Sequence, residues 1–182
     1  MASERIFAVD PGKVTGWCFY ETGSPSSFTA DEAEHMEFLA LARRVIELGR
    51  CDTVVCEDFI ITVNTVRKTQ GQLWSLEQRG VLRYLAHEHG VNFKLQRPAD
   101  AKRFATDKKL RAAGWYRPTA GGHQNDAARH LLTYLASSGQ LEDILAVLRS
   151  GEPGESTFGS SGRTEVNIWQ LAVLAVLWYS SG

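Results

Sequence analysis

A mixed α/β fold, with five strands in one sheet flanked by helices, is what this sequence predicts, and three observations carry it. Two short apolar runs of strand length, RIFAVD at residues 5–10 and CDTVVCE at 51–57, each end on an acid. The first runs straight into the turn signal DPG, which favours a hairpin over a crossover at that point. Later strand-length runs alternate with segments of helical spacing, the pattern of crossover connections in one sheet.

Residues 5–10 form the first strand, and TGWCFYE at 15–21 its hairpin partner. A third, short edge strand is expected near 26–29. Thr29 with Glu32 resembles a capping box, so a helix is expected from there to about Leu48, stopped by Gly49. Residues 52–57 are a β-branched strand of a length suited to a buried position. From about Arg67 to His89 the pattern is helical, with Leu73, Leu76, Gly80 and Tyr84 on one side, widened by Trp74, Val81 and Leu85. Gly90 closes that helix, VNFKL makes the fifth strand, and Pro98 opens a short basic helix. A loop with Gly114, Pro118, Gly121 and Gly122 leads into a helix starting near His123.

The chain of 182 residues is long enough for one domain with a sizeable core, expected over residues 1–148. Residues 149–165, rich in Gly and Ser, read as a flexible linker. The apolar segment 166–182 beyond it is expected to be helical. Its run VNIWQLAVLAVLWY is too short for a typical membrane span and is interrupted by Gln170, so no membrane role is expected. Cys18, Cys51 and Cys56 form no C-x-x-C pair and read as small buried hydrophobes in a reducing compartment. MASERIFAVD lacks the apolar stretch of a signal peptide, which makes a cytoplasmic location the expectation.

A formal charge of −1 decides nothing about partners, but its distribution does. Eight basic residues between Lys94 and Arg117 face only Asp100 and Asp107, so that segment carries +6 and the remainder −7. A polyanion can be met by such a patch while the rest of the surface stays acidic. Lys102, Arg103, Lys108 and Lys109 are the best candidates for a DNA backbone, with Lys13 in the loop after Asp10 within reach of a phosphate. A solvated helix face and a solvated turn lysine account for the same residues. Trp115 and Tyr116 either stack on an exposed base or anchor the core.

Asp10 and Glu57 each end a strand, and His123 with Asp126 lie at i and i+3 on a helix. Carboxylates suit a hard divalent cation and can bridge two of them, and two such ions serve phosphodiester hydrolysis. In this reading Asp10 bridges, Glu57 holds one ion, and Asp126 with His123 holds the other. Taken singly, each residue has an ordinary explanation: a turn cap for Asp10, a surface acid for Asp126, a helix cap or core histidine for His123. The ordinary explanation is weakest for Glu57, because an unpaired carboxylate closing an apolar strand is costly. Asp58 points to the other side of the strand, as a surface acid or a support for the ligands. His130, i+4 from Asp126, either orients a ligand, contacts phosphate or packs in the core. Arg129 pairs with Asp126 by spacing.

With these residues in view, IFAVDPGKVTGW, DTVVCED and HQNDAARHLLTYL resemble the RuvC-type Holliday junction resolvases of the RNase H-like superfamily, in particular a bacteriophage member. The resemblance covers roughly residues 5–138. It implies an RNase H-like fold, with Asp10, Glu57, His123 and Asp126 as catalytic and metal-binding residues and Lys102 as the lysine of the basic helix. It further implies magnesium, two ions per site with manganese as substitute, and a homodimer that nicks four-way junctions to leave 5′-phosphate and 3′-hydroxyl ends. For a phage protein the location would be the host cytoplasm. The glycine-containing TG-x-G-x-A-x-K segment of cellular members is replaced here by RFATDKKLRAAG, and Phe59 or Ile60 stands where they carry a phenylalanine. A broader nuclease for flaps, forks and single strands is therefore the alternative enzyme, and a non-catalytic branched-DNA binder the alternative of another class. An actin-like ATPase is disfavoured, because a second lobe and phosphate loop are missing.

Overall fold

The computed structural model describes residues 3–59, 73–118 and 121–140. The expected linker and apolar C-terminal segment lie outside the described residues, as does Ile60.

Five strands, β1 (Arg5–Asp10), β2 (Val14–Glu21), β3 (Thr29–Glu34), β4 (Thr53–Glu57) and β5 (Asn92–Gln96), form one sheet in the order β3-β2-β1-β4-β5. β1, β2 and β3 are antiparallel neighbours, and β4 and β5 run parallel to β1. The helices are α1 (His35–Glu47), α2 (Leu73–Glu88), α3 (Pro98–Phe104), α4 (Asp107–Ala112) and α5 (His123–Ser137).

Side-chain alternation divides the core between the two faces of the sheet. Ile6, Ala8, Cys18, Tyr20 and Val55 face α5, which answers with Ala127, Ala128, Leu131, Leu132 and Leu135. Phe7, Val9, Trp17, Phe19, Val54 and Cys56 face the other way, onto Phe38, Leu41 and Ile46 of α1 and Leu82 and Leu85 of α2. The small residues Ala127 and Ala128 let α5 lie close to the sheet. All three cysteines are buried and free, and burial raises each thiol, Cys51 to about 12.

Three expectations are corrected. Thr29 and Glu32 do not cap a helix: residues 29–34 pair with 14–19 as the edge strand, and α1 begins at His35. Ladder hydrogen bonds satisfy the backbone there, and tertiary pairing overrides the local capping pattern. The third strand accordingly lies later than 26–29, after a 3₁₀ turn at Pro25–Ser27. On α2 the buried face is Ser75, Gln78, Leu82, Leu85 and Ala86, whereas Leu73 and Tyr84 are exposed. The expected stripe failed because two members of the true inward face are polar.

Candidate active site

The site is built on one transverse row of the sheet. β1 and β4 are in register through Val9 and Cys56, so Asp10 and Glu57 come next in line at adjoining strand ends. They share the parity of Ala8 and Val55, which puts both carboxylates on the face that α5 covers. Across the antiparallel pairs, Asp10 stands opposite Gly16, and Gly16 opposite Glu32. The row thus reads Glu57, Asp10, Gly16, Glu32.

Gly16 is where the N-terminus of α5 comes down. A Cβ built there would lie 2.0 Å from the carbonyl carbon and oxygen of His123 and 2.5 Å from the Gln124 nitrogen. Only a residue without a side chain admits this approach. The turn into the helix is made by Gly122, at φ 72°. The Glu32 carboxylate accepts from the Gln124 N–H at 3.3 Å, supplying an acceptor to the open first turn. Asn125, buried, grips the preceding loop by accepting from Arg117 N–H at 2.8 Å and donating to Arg117 C=O at 2.6 Å.

His123 and Asp126 therefore descend onto Asp10. His123 Nδ1 lies 3.1 Å from Asp10 Oδ2. Burial raises the Asp10 carboxyl above its usual range; the bond to His123 works against that, and the charges of Glu57 and Asp126 add to it. The His123 imidazole is raised in turn, chiefly by its hydrogen bond to Asp10, with help from the charges of Glu32 and Asp126. These mutual effects place the acids within electrostatic reach of one another.

Each remaining carboxylate has its own partner. Glu57 Oε2 lies 3.0 Å from Nε2 of the buried His130. With its nitrogen toward His130, the Gln96 amide donates to Nδ1 and to the His130 carbonyl, both at 3.0 Å, and its oxygen accepts from Tyr134 N–H at 3.2 Å. In that orientation each donor meets an acceptor, which puts the imidazole proton on Nε2, donating to Glu57. Asp126 accepts from Arg129 at 2.5 Å and pairs with Lys102 at 3.2 Å, and Arg129 also reaches Asp107. Asp58 turns away from this face, as expected, and pairs with Arg79 at 2.8 Å.

The donors offered are carboxylate oxygens, the chemistry that a hard divalent cation takes. A buried carboxyl destabilised by two neighbouring carboxylates is a place that calls for positive charge, and the oxygens offered are hard donors. Asp10, Glu57 and Asp126 would hold the metal, with His123 beside them. Among the described residues, no three His, Cys, Asp or Glu side chains stand as placed to share one ion. Each acid is turned onto a histidine or a cation, so binding metal requires these partners to yield.

The basic residues divide. Lys102 stands beside Asp126, with more than half its side chain exposed. Arg103 pairs with Asp100, and Lys108 and Lys13 are exposed. Lys109 is committed internally, donating to the Phe104 carbonyl at 2.8 Å with its ammonium 3.9 Å from the Phe104 ring centre. Trp115 is core, stacked on Phe28 at 4.6 Å, and Tyr116 lies under Arg111.

This architecture matches solved structures. T. thermophilus RuvC in complex with Holliday junction substrate aligns over 76% of this chain and 96% of that one, at TM-score 0.55 and 17% identity. The chain has a RuvC-like, RNase H-like fold. A second Thermus thermophilus RuvC structure aligns over 74% of this chain and 96% of that one, at TM-score 0.48 and 21% identity. No family model and no curated protein matches the sequence.

Two residues that belong to this row and its support escaped the sequence. Glu32 is hidden by a capping pattern that points to a helix start, and TADEAE, with apolar residues only at 30 and 33, carries no strand alternation to correct it. Gln96 lies directly opposite Glu57 on β5, one residue beyond the run VNFKL, and no local pattern marks it.

Proposed function

We propose that this chain is a divalent-metal-dependent endonuclease that cuts branched DNA, with four-way junctions as its principal substrate and 5′-phosphate and 3′-hydroxyl ends as products. The observation that carries this reading is the seating of the His123/Asp126 helix end on Gly16. It brings residues 113 positions apart in sequence, Asp10 and His123, into hydrogen-bond contact. The RuvC-like fold supports the nuclease class.

Asp10, Glu57, Asp126 and His123 would hold the magnesium. Bound there, magnesium or manganese would supply an activated water, neutralise phosphate oxygens and assist the leaving 3′ oxygen. The protein's own groups set the stage. His130 fixes the orientation of Glu57 through one hydrogen bond, an arrangement that supports ligand geometry. Lys102, beside Asp126 and largely exposed, is placed to meet a phosphate once its carboxylate partner turns to metal. Arg103 and Lys108 extend the positive surface on the adjoining helices, and Lys13 lies in the loop after Asp10. A homodimer would deliver the paired nicks that resolve a junction. The cytoplasm is the proposed location; no described helix is long and apolar enough to cross a membrane.

The test is cleavage of labelled four-way junction, flap, fork and linear duplex in magnesium by the wild type and Asp10→Asn. Symmetric junction nicks, lost in Asp10→Asn while binding persists, support the resolvase. Metal-dependent cutting of flaps and forks with equal efficiency replaces it by a general branched-DNA nuclease. Binding without cutting in either magnesium or manganese refutes the enzyme.

A further inference from the structure

Helix α2 packs on the sheet face opposite the carboxylates, yet three of its side chains hold the backbone that leaves the site. Ser75, Gln78 and Arg79 stand at i, i+3 and i+4, so one turn presents them together. Ser75 Oγ donates to the Pro11 carbonyl at 2.6 Å. Gln78, fully buried, forms a reciprocal pair with Gly12: its Nε2 donates to Gly12 C=O at 3.0 Å, and its Oε1 accepts from Gly12 N–H at 3.1 Å. The same amide reaches Thr15 Oγ1 at 3.0 Å and His35 Nδ1 at 2.9 Å. Arg79 binds Asp58 at 2.8 Å and the Phe59 carbonyl at 3.3 Å.

Pro11 and Gly12 directly follow Asp10, and Asp58 and Phe59 directly follow Glu57. Asp10 and Glu57 are the last residues of their strands, so the ladder between β1 and β4 ends here. Beyond that point, the spacing of the two strand ends depends on whatever grips both. A single helical turn does so, with backbone roles that admit one orientation of the Gln78 amide. A fully satisfied buried amide is an expensive choice where a leucine would pack, and it fixes a loop geometry that apolar packing leaves loose.

We propose that Ser75, Gln78 and Arg79 are positioning residues for the metal-binding carboxylates: from the far side of the sheet they set the separation of Asp10 and Glu57. This deepens the nuclease reading above and rests on it. The consequence is specific to metal. Loss of the clamp weakens divalent-ion binding while leaving the basic DNA-facing helices α3 and α4 untouched.

The test uses the full chain and three variants, Gln78→Met, Arg79→Ala and Ser75→Ala. Calorimetric titration with Mn2+ alone is the primary readout, with thermal unfolding, junction binding in EDTA and the magnesium dependence of cleavage alongside. Supporting residues behind metal ligands typically account for about 10–100-fold in metal affinity. The expected result is a rise of about 10-fold or more in the Mn2+ dissociation constant for Gln78→Met and Arg79→Ala, and a smaller rise for Ser75→Ala. Half-saturating magnesium for cleavage should shift in parallel, with junction binding unchanged. Ser75→Ala removes one hydroxyl and little packing, so it keeps the test decisive should Gln78→Met fail to fold. Wild-type Mn2+ affinity in the folded variants, or loss of activity only in proportion to unfolded protein, overturns the positioning role and leaves the nuclease reading standing. A wild type that neither binds Mn2+ nor cleaves overturns both.

Discussion

Replacing Gly16 by alanine tests the geometry of the site at its seat. The added methyl would stand 2.0 Å from the His123 carbonyl, against an ordinary contact starting at about 3.4 Å, so strand and helix must part by about 1.4 Å. Both obstacles are backbone, with no side chain to rotate away. Forced overpacking of this kind costs about 1–3 kcal/mol. The shift falls on His123 and Asp126, which ride on the helix end that moves. A misplacement of about 1 Å in a catalytic constellation costs roughly 100-fold in rate. Urea unfolding and junction cleavage in magnesium, measured on the same preparation, should therefore show both losses. Gly80 on α2 is the control: nothing lies within 4 Å of its built Cβ, so Gly80→Ala should be neutral or stabilise by about 0.5–1 kcal/mol. Should Gly16→Ala match the wild type in stability and activity, the close seating of α5 on β2 is wrong, and with it the contact between His123 and Asp10.

The remaining predictions address the charges. Arg129 is largely buried between Asp126 and Asp107, and charged hydrogen bonds of this kind are worth about 1.5–3 kcal/mol. Arg129→Ala should lower unfolding stability on that scale yet tighten Mn2+ binding, because a competing cation leaves Asp126; weaker or unchanged Mn2+ affinity would count against competition. Asp10 and His123 both titrate above their ordinary values of 3.8 and 6.5, so the folded protein retains protons that the unfolded chain has released. Metal-free stability should thus fall as pH rises above 3.8 through the raised Asp10 value, and again above 6.5 through that of His123. Magnesium needs these groups deprotonated, so its stabilising effect should grow over the same range; melting curves of wild type and Asp10→Asn, with and without magnesium, check it, and a flat difference would contradict it. At the far end of β1, the Arg5 guanidinium grips Asp52 at 2.7 Å and holds its carboxyl below the usual range. Solvent screens this half-exposed pair, so Asp52→Asn should cost at most about 1 kcal/mol at neutral pH. That advantage should vanish as pH falls below 3.8 through the depressed Asp52 value, which acid titration of both proteins would reveal.

The sequence by itself determined the two strands at the centre of the sheet, β1 and β4, and the acid that ends each of them. RIFAVD and DTVVCE are near-continuous apolar runs because both faces of each strand are buried, and a terminal acid in each is an anomaly that local chemistry makes visible. The i, i+3 pairing of His123 and Asp126 follows from helical spacing in the same way. Tertiary structure alone decided what lies across from what. Glu32 became part of the row because β3 pairs with β2 where a capping pattern suggested a helix. Gln96 reached His130, and Gln78 reached Gly12, across 34 and 66 residues. Polar side chains of this kind carry no periodic signal: their burial is repaid by one specific partner, and that partner exists only once the chain has folded. The requirement for glycine at 16 has the same origin. Nothing in the hairpin demands it; the helix that arrives more than a hundred residues later does.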